Sequence, residues 1–173
     1  AEVLDLFADR LETKTETRYD AANDRVEIRQ RQRLGATVLR EATVARADEA
    51  VLAGALLSAM RQCGIAALPW SDAAIALRQR AAFAGHEELS DESLLETLDQ
   101  WLPPCLNGAA RLRDVSKQAL ADALDTLLGW DSKQQVERLA PAHFTSPAGT
   151  THPVDYAAEA GPTVELRVQA LFG

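Results

Sequence analysis

The 173 residues carry 18 Lys and Arg against 26 Asp and Glu, a formal net charge of −8, and 47% are hydrophobic and 25% charged. That balance is ordinary for a folded domain, excludes general disorder, and keeps non-specific binding to polyanions weak. The length fits one domain or two small ones with room for a buried core, and no run of about 18 apolar residues or basic-then-apolar leader is present, so no membrane partner is expected and the expected location is cytoplasmic.

Residues 2–11 place Val3, Leu6 and Phe7 at helical spacing and predict a short helix. Threonines at 13, 15 and 17 with Tyr19 then favour a strand. Asp20-Ala21-Ala22-Asn23-Asp24 supplies turn residues that tolerate tight backbone geometry, which predicts a hairpin into a second strand over 25–34. Gly35 marks a bulge or bend, and a third strand follows over 36–45.

From Asp48 the apolar period changes from two to about 3.6. Leu52, Ala55, Leu56, Ala59 and Met60 form the stripe of a first helix that Asp48 can cap and Gly64 can end. Ser71 and Asp72 start a second, with Ile75, Leu77, Ala81 and Phe83 expected inside. Ser90 starts a third, bearing Leu94, Leu95, Leu98, Trp101 and Leu102 and stopped by Pro103-Pro104. Ser116 opens a fourth through Leu120, Ala123, Leu124, Leu127 and Leu128, interrupted near Gly129-Trp130 and resumed through Val136 and Leu139.

The tail reads as short strands again, around 154–156 and 164–168. The expected class is therefore α+β: a small antiparallel, OB-like sheet or barrel built from N- and C-terminal strands, with a four- to five-helix insertion. The corresponding segments are 1–46, 47–140 and 141–173. The start at Ala1 without an initiator Met, and the apolar run into Gly173, suggest a piece of a longer protein.

Chemistry-bearing motifs are scarce. His86, His143 and His152 have no metal-ligand spacing, and neither Cys63 nor Cys105 lies beside one of them. Both cysteines read as reduced core thiols. No Gly-x-x-x-x-Gly-Lys-Ser/Thr or Gly-x-Gly-x-x-Gly loop is present, and Ser90, Ser93 and Ser116 read as caps, since no nucleophile elbow surrounds them. Asp91, Glu92 and Glu96 read as a solvated helix face.

One positive constellation remains. In Arg25-Val26-Glu27-Ile28-Arg29-Gln30-Arg31-Gln32-Arg33, strand alternation sends Arg25, Arg29, Arg31 and Arg33 to one face and Val26, Ile28 and Leu34 to the other. With Arg40 in the next strand these are the candidate nucleic-acid-binding residues. Residues 25–46 are net +4, leaving −12 for the remainder of a chain at −8. Such a strand can track a phosphate backbone, stand as a solvated face that discourages edge-to-edge aggregation, or pair with acidic helices of the same chain.

The motifs Leu68-Pro69-Trp70, Leu77-Arg78-Gln79-Arg80, Asp91-Glu92-Ser93-Leu94-Leu95, Trp101-Leu102-Pro103 and the tail with Pro141, His143, Phe144, Pro147, Gly149 and the Leu171-Phe172-Gly173 ending resemble the C-terminal portion of bacterial HrpB-type ATP-dependent helicases, DEAH-like members of superfamily 2. The resemblance implies two RecA-like motor domains upstream, further family sequence after Gly173, and an OB-like region. ATP and Mg are implied only for those motor domains. No Walker lysine, Asp-Glu-x-His box or arginine finger stands in this sequence, so the chain alone is expected to be catalytically inactive. His152-Pro153 departs from the family's alternating tail strand and predicts an edge strand or one starting at Val154. Tyr19, Phe144 and Tyr156, the aromatics near predicted strands, are expected in the core. Two functions follow as expectations. One is weak contact with single-stranded RNA or DNA through the arginine strand, and the other is a protein-interaction or structural module docking on the upstream motor domains.

Overall fold

The computed structural model describes residues 11–34, 37–43, 48–158 and 160–166. The predicted helix at 2–11, apart from Leu11, lies outside them, as do Gly35 and residues 167–173. The chain divides into two compact units, Ala1–Leu68 with Leu106–Val115, and Pro69–Cys105 with Ser116–Gly173.

In the first unit, strands β1 (Leu11–Asp20), β2 (Arg25–Leu34) and β3 (Thr37–Thr43) form an antiparallel sheet in the order β1-β2-β3. The four-residue turn 21–24 sets Asp20 opposite Arg25, and therefore Tyr19 opposite Val26 and Thr17 opposite Ile28. One face carries Tyr19, Val26 and Ile28, and Ile28 is buried. Helix α1 (Glu49–Cys63) lies against β1 and β2 and buries Ala55, Leu56, Ala59 and Met60. Asp48 holds the N-cap position without a capping side-chain bond, and Gly64 ends the helix at φ 78° with its N–H on the Met60 carbonyl. A register shift between Gln32 and Arg33 interrupts the β2–β3 ladder.

Asp24 ties this unit together. It sits at φ 46°, a left-handed conformation that Asp tolerates because its short side chain can bond locally. Its Oδ1 accepts from the Tyr19 hydroxyl at 2.7 Å and the Leu112 amide at 2.9 Å, and its Oδ2 from the Arg113 amide at 3.2 Å. The Arg113 guanidinium stands 3.4 Å from the same oxygen. A second carboxylate, Glu49, accepts from the Gly108 amide. Segment Leu106–Val115 is thus held on the hairpin and α1 by its own backbone donors.

The second unit contains α2 (Asp72–Phe83), α3 (Asp91–Glu96), α4 (Leu98–Trp101) and α5 (Lys117–Leu139), then β4 (His143–Thr145) and β5 (Thr151–Pro153). Ser71, Ser90 and Ser116 each accept a hydrogen bond from the amide three residues on, as expected of N-caps. The predicted third helix is two short ones, broken at Thr97, whose hydroxyl bonds the Ser93 carbonyl. Gly129 breaks α5 at φ 73° and ψ 167°, and the Lys133–Asp125 pair at 2.7 Å spans the break. The core comprises Ala74, Ala81, Leu89, Leu94, Leu98, Trp101, Leu102, Leu120, Leu124, Leu128 and Val136.

The helical block between strands matches the α+β expectation, but several details are corrected. Among the described residues the strands form two sheets, one of three strands and one of two, with no closed barrel and no ladder joining the chain's ends. The strand expected over 154–156 reduces to one bridge between Asp155 and Thr163. Pro153, which has no N–H, stands at the end of β5 in a ribbon that has only edges. On α2 the buried residues are Ala74, Arg80 and Ala81, whereas Ile75 and Phe83 are exposed. Cys105 is buried and Cys63 is exposed, so only one thiol belongs to the core.

Two outcomes test this account. Gly129→Ala meets no neighbouring atom but must hold a conformation reserved for glycine, so thermal unfolding should show a loss of about 1–3 kcal/mol. At Asp24, burial raises the carboxyl pKa, but the Tyr19 hydroxyl, the two amides and the Arg113 charge together take it below its ordinary value. Its stabilisation is therefore present above about pH 4 and lost as pH falls through the folded-state value. Tyr19 is shifted upward by burial and by the Asp24 carboxylate, so its contribution is lost as pH rises past about 10. Asp24→Asn keeps the left-handed tolerance, should cost about 1–3 kcal/mol at neutral pH, and should flatten the acid limb of the melting profile.

Candidate nucleic-acid interface

Alternation along β2 puts Arg25, Glu27, Arg29, Arg31 and Arg33 in one row, opposite the face that holds Ile28. The hairpin register sets this row against Asp20, Arg18, Glu16 and Lys14 of β1. The result is a face of mixed sign. Glu27 lies between two arginines, 2.7 Å from Arg25 and 3.6 Å from Arg29. Glu16 reaches Arg31 at 3.3 Å and Lys14 at 3.7 Å. Arg33 is exposed, and Arg40 occupies a β3 position in register with Gln32, outside the row formed by the other four.

These pairs form within the hairpin. The Arg25 and Arg29 side chains keep 59% and 50% exposure, so water screens each pair and each contributes about 0–1 kcal/mol. An incoming anion meets little resistance in exchanging partners with Glu16 or Glu27. The turn fixes which residues stand opposite one another, but the ion pairs run along one strand, as Glu27 does to Arg25 and Arg29, or diagonally, as Glu16 does to Arg31.

The motif residues of the second unit do different work. Arg78 donates from Nε to the Leu89 carbonyl at 2.9 Å and pairs with Asp91. Its guanidinium carbon lies 5.4 Å from the Trp70 ring centroid, within cation–π range. Trp70 in turn approaches Trp101 at 6.3 Å, and the Trp101 indole donates to the Leu94 carbonyl. Arg80, 8% exposed, donates from Nε to the Ala140 carbonyl at 2.6 Å and stands 2.8 Å from Glu137, a cation at the C-terminal end of α5.

Tyr156 packs against Phe83 in a tilted arrangement with ring centroids 5.1 Å apart and donates its hydroxyl to the Pro141 carbonyl. The Ser146 hydroxyl accepts from the Thr150 amide, Thr150 bonds His152, and Gly149 turns the β4–β5 loop at φ 79°. Of the three strand aromatics, Tyr19 and Tyr156 are half-buried and Phe144 is 41% exposed, so Phe144 is not the core residue expected.

Residues 101–173 match the family model described as ATP-dependent helicase C-terminal, HrpB_C. That segment is similar to the C-terminal region of these helicases. The chain is homologous to the ATP-dependent RNA helicase HrpB of Escherichia coli strain K12, with 30% identity over 162 residues, 90% of this chain and 20% of that protein. Two crystal structures, titled for the E. coli DExH-box NTPase HrpB and the E. coli DEAH/RHA helicase HrpB, superimpose with TM-scores of 0.66 at 26% identity. They cover 99% and 94% of this chain and 22% of each larger chain. The chain therefore spans about a fifth of the length of the curated relative it matches.

Among the described residues nothing is arranged to cradle a nucleotide phosphate or to hold Mg. Among the described residues no group of three or more His, Cys, Asp and Glu is placed to hold a metal, and the positive-φ glycines stand singly at turns and helix breaks. A direct comparison of arginines tests how the motifs divide between scaffold and surface. Arg78→Ala should cost about 2–4 kcal/mol, because it removes a carbonyl bond, an ion pair and a ring contact in a half-buried setting. Arg31→Gln should change stability by less than about 1 kcal/mol in the same urea titration.

Proposed function

We propose that this chain is a non-catalytic accessory module of an HrpB-like ATP-dependent RNA helicase and contacts single-stranded nucleic acid through the outer face of β2. The observation that carries the reading is the row Arg25, Arg29, Arg31 and Arg33, set on a solvent face whose opposite side is anchored by buried Ile28. Arg40, in register with Gln32 on the neighbouring strand, falls outside this row and is not part of the proposed set. Same-face positions about 6.6 Å apart can meet successive phosphates, and guanidiniums suit phosphate oxygens because their donors form a planar fork. The contact carries little sequence preference, since phosphates are the same at every base. It is weak, because Glu16 and Glu27 compete and the chain is acidic overall. The relative's name, ATP-dependent RNA helicase, favours RNA over DNA as the strand. ATP and Mg belong to the motor domains of the parent protein. No described helix is long and apolar enough to cross a membrane, and the proposed setting is cytoplasmic.

A second reading rests on the alternation of sign itself. Glu16 and Glu27 among the arginines suit a protein surface of complementary charges better than a uniform polyanion, which favours docking on the motor domains of the same chain.

Replacing Arg29, Arg31 and Arg33 together by Gln separates the two. If the row meets phosphates, single-stranded RNA affinity at low salt falls and the salt slope flattens by about 0.7 for each phosphate no longer neutralised, while folding is retained. Unchanged affinity and slope, with docking to the motor domains abolished in the intact helicase, would defeat the nucleic-acid reading in favour of the second.

A further inference from the structure

The second unit contains a trough of about 510 Å³ that neither reading uses. One wall is the first half of α5, where Ala119, Ala123 and Leu127 recur every four residues and form a ridge along the helix. The other wall is Gln100, Trp101, Pro104 and Cys105. Trp101 and Cys105 are 5% and 6% exposed, so the floor is fixed by the core beneath it. The Cys105 thiol points to the Trp101 and Ala119 carbonyls, and burial, then the nearby Asp122, push its pKa up, so it remains a neutral, apolar part of the wall.

The only charged residue of the lining is Asp122. Gln118 donates to its Oδ1 at 2.8 Å. Its second oxygen has no hydrogen-bond or ion-pair partner among the described residues. The two alanines leave room for another chain to approach the helix closely. A phosphate-bearing ligand would meet a carboxylate with no Lys or Arg in the lining to offset it. Charge complementarity and shape together select an elongated cation with apolar side chains.

We propose that this trough docks a basic amphipathic peptide segment of a partner protein, with an apolar side chain seated between Trp101 and Ala123 and a neighbouring Lys or Arg on Asp122. The volume falls in the range of about 300–1,000 Å³ found for ligand-sized clefts. The mode is that of a helix laid in a groove, read through anchors at i, i+3, i+4 and i+7. The acidic remainder of the chain raises the local concentration of such a segment.

The test uses the whole chain and an acetylated 12-residue peptide with Leu at positions 3, 6, 7 and 10 and Lys elsewhere, beside a twin with Glu for Lys. Binding is read by calorimetry and by amide shifts in residues 100–105 and 119–127. The Lys peptide is expected to bind and the Glu twin not. Ala123→Arg, which fills the trough and adds a cation, is expected to weaken binding at least about tenfold, and Asp122→Asn a few-fold with reduced salt sensitivity. Ala119→Leu fills the same trough without changing charge and is expected to weaken binding if Ala123→Arg fails to fold. The Arg29, Arg31 and Arg33 to Gln variant is expected to bind the peptide as before, which keeps this outcome separate from that of the β2 face. No binding, equal binding of both peptides, affinities unchanged in the folded trough variants, or shifts confined to other acidic surfaces would overturn the proposal. So would a single-stranded RNA that competes for the same resonances.

Discussion

The first unit depends on one carboxylate. Asp24 closes the β1–β2 turn in a left-handed conformation and also receives the amides of Leu112 and Arg113, 88 and 89 residues further along. Those amides open a single turn of helix, where backbone donors have no partner of their own and a negative charge is favoured. An acceptor in the hairpin supplies what a short, irregular segment cannot supply for itself. The same bond fixes the turn, and the turn fixes the register that sorts Ile28 inward and the arginines outward. The turn and the strand period sort the outer face, and the contacts of Asp24 hold the 106–115 segment on that hairpin.

The residues that carry the likeness to helicase C-terminal sequences are, in this chain, largely residues that build the second unit. Trp70, Arg78, Asp91 and Trp101 form one connected set, and Arg80 closes the end of α5. Their polar atoms are engaged by carbonyls, carboxylates and rings. Resemblance at such positions reports a shared scaffold, and function must be argued from the surfaces that scaffold presents. In the second unit that surface is the trough beside α5, whereas the mixed-charge β2 face belongs to the first unit.

Much of this fold was legible wherever a local rule decided the outcome. Ser71, Ser90 and Ser116 announce helix starts because their hydroxyls reach the next turn's amide, and Gly129 announces a break because no other residue holds its conformation comfortably. The hairpin followed from 20–24 and the arginine alternation from the strand period. What failed was decided by tertiary context. Ile75 and Phe83 are apolar and helically spaced, yet Arg80 takes an inner position of α2 because a carbonyl at the end of α5 awaits a donor. Thr97 divides a helix that periodicity alone runs through: its backbone leaves helical geometry while its amide and its hydroxyl both bond the Ser93 carbonyl. Economy of strands predicts shared-sheet pairing between the chain's ends. No sequence rule encodes that pairing, and the described strands pair locally instead. Of the candidate site, the arginine row and the place of Glu27 between Arg25 and Arg29 are readable from the strand period, whereas the reach of Glu16 to Arg31 appears only when two strands are set side by side.

A face that mixes four arginines with intervening carboxylates has a further consequence for the proposed nucleic-acid contact. Each phosphate that displaces a carboxylate gains a charge-assisted bond and removes one of similar kind, so the net gain per contact is small and the release of counterions supplies most of the driving force. With three or four phosphates engaged, that term alone gives weak binding at physiological salt. Tethered to motor domains that already hold the strand, the same weak face would act at a high effective concentration, and its contribution would appear as added residence on the strand without independent affinity.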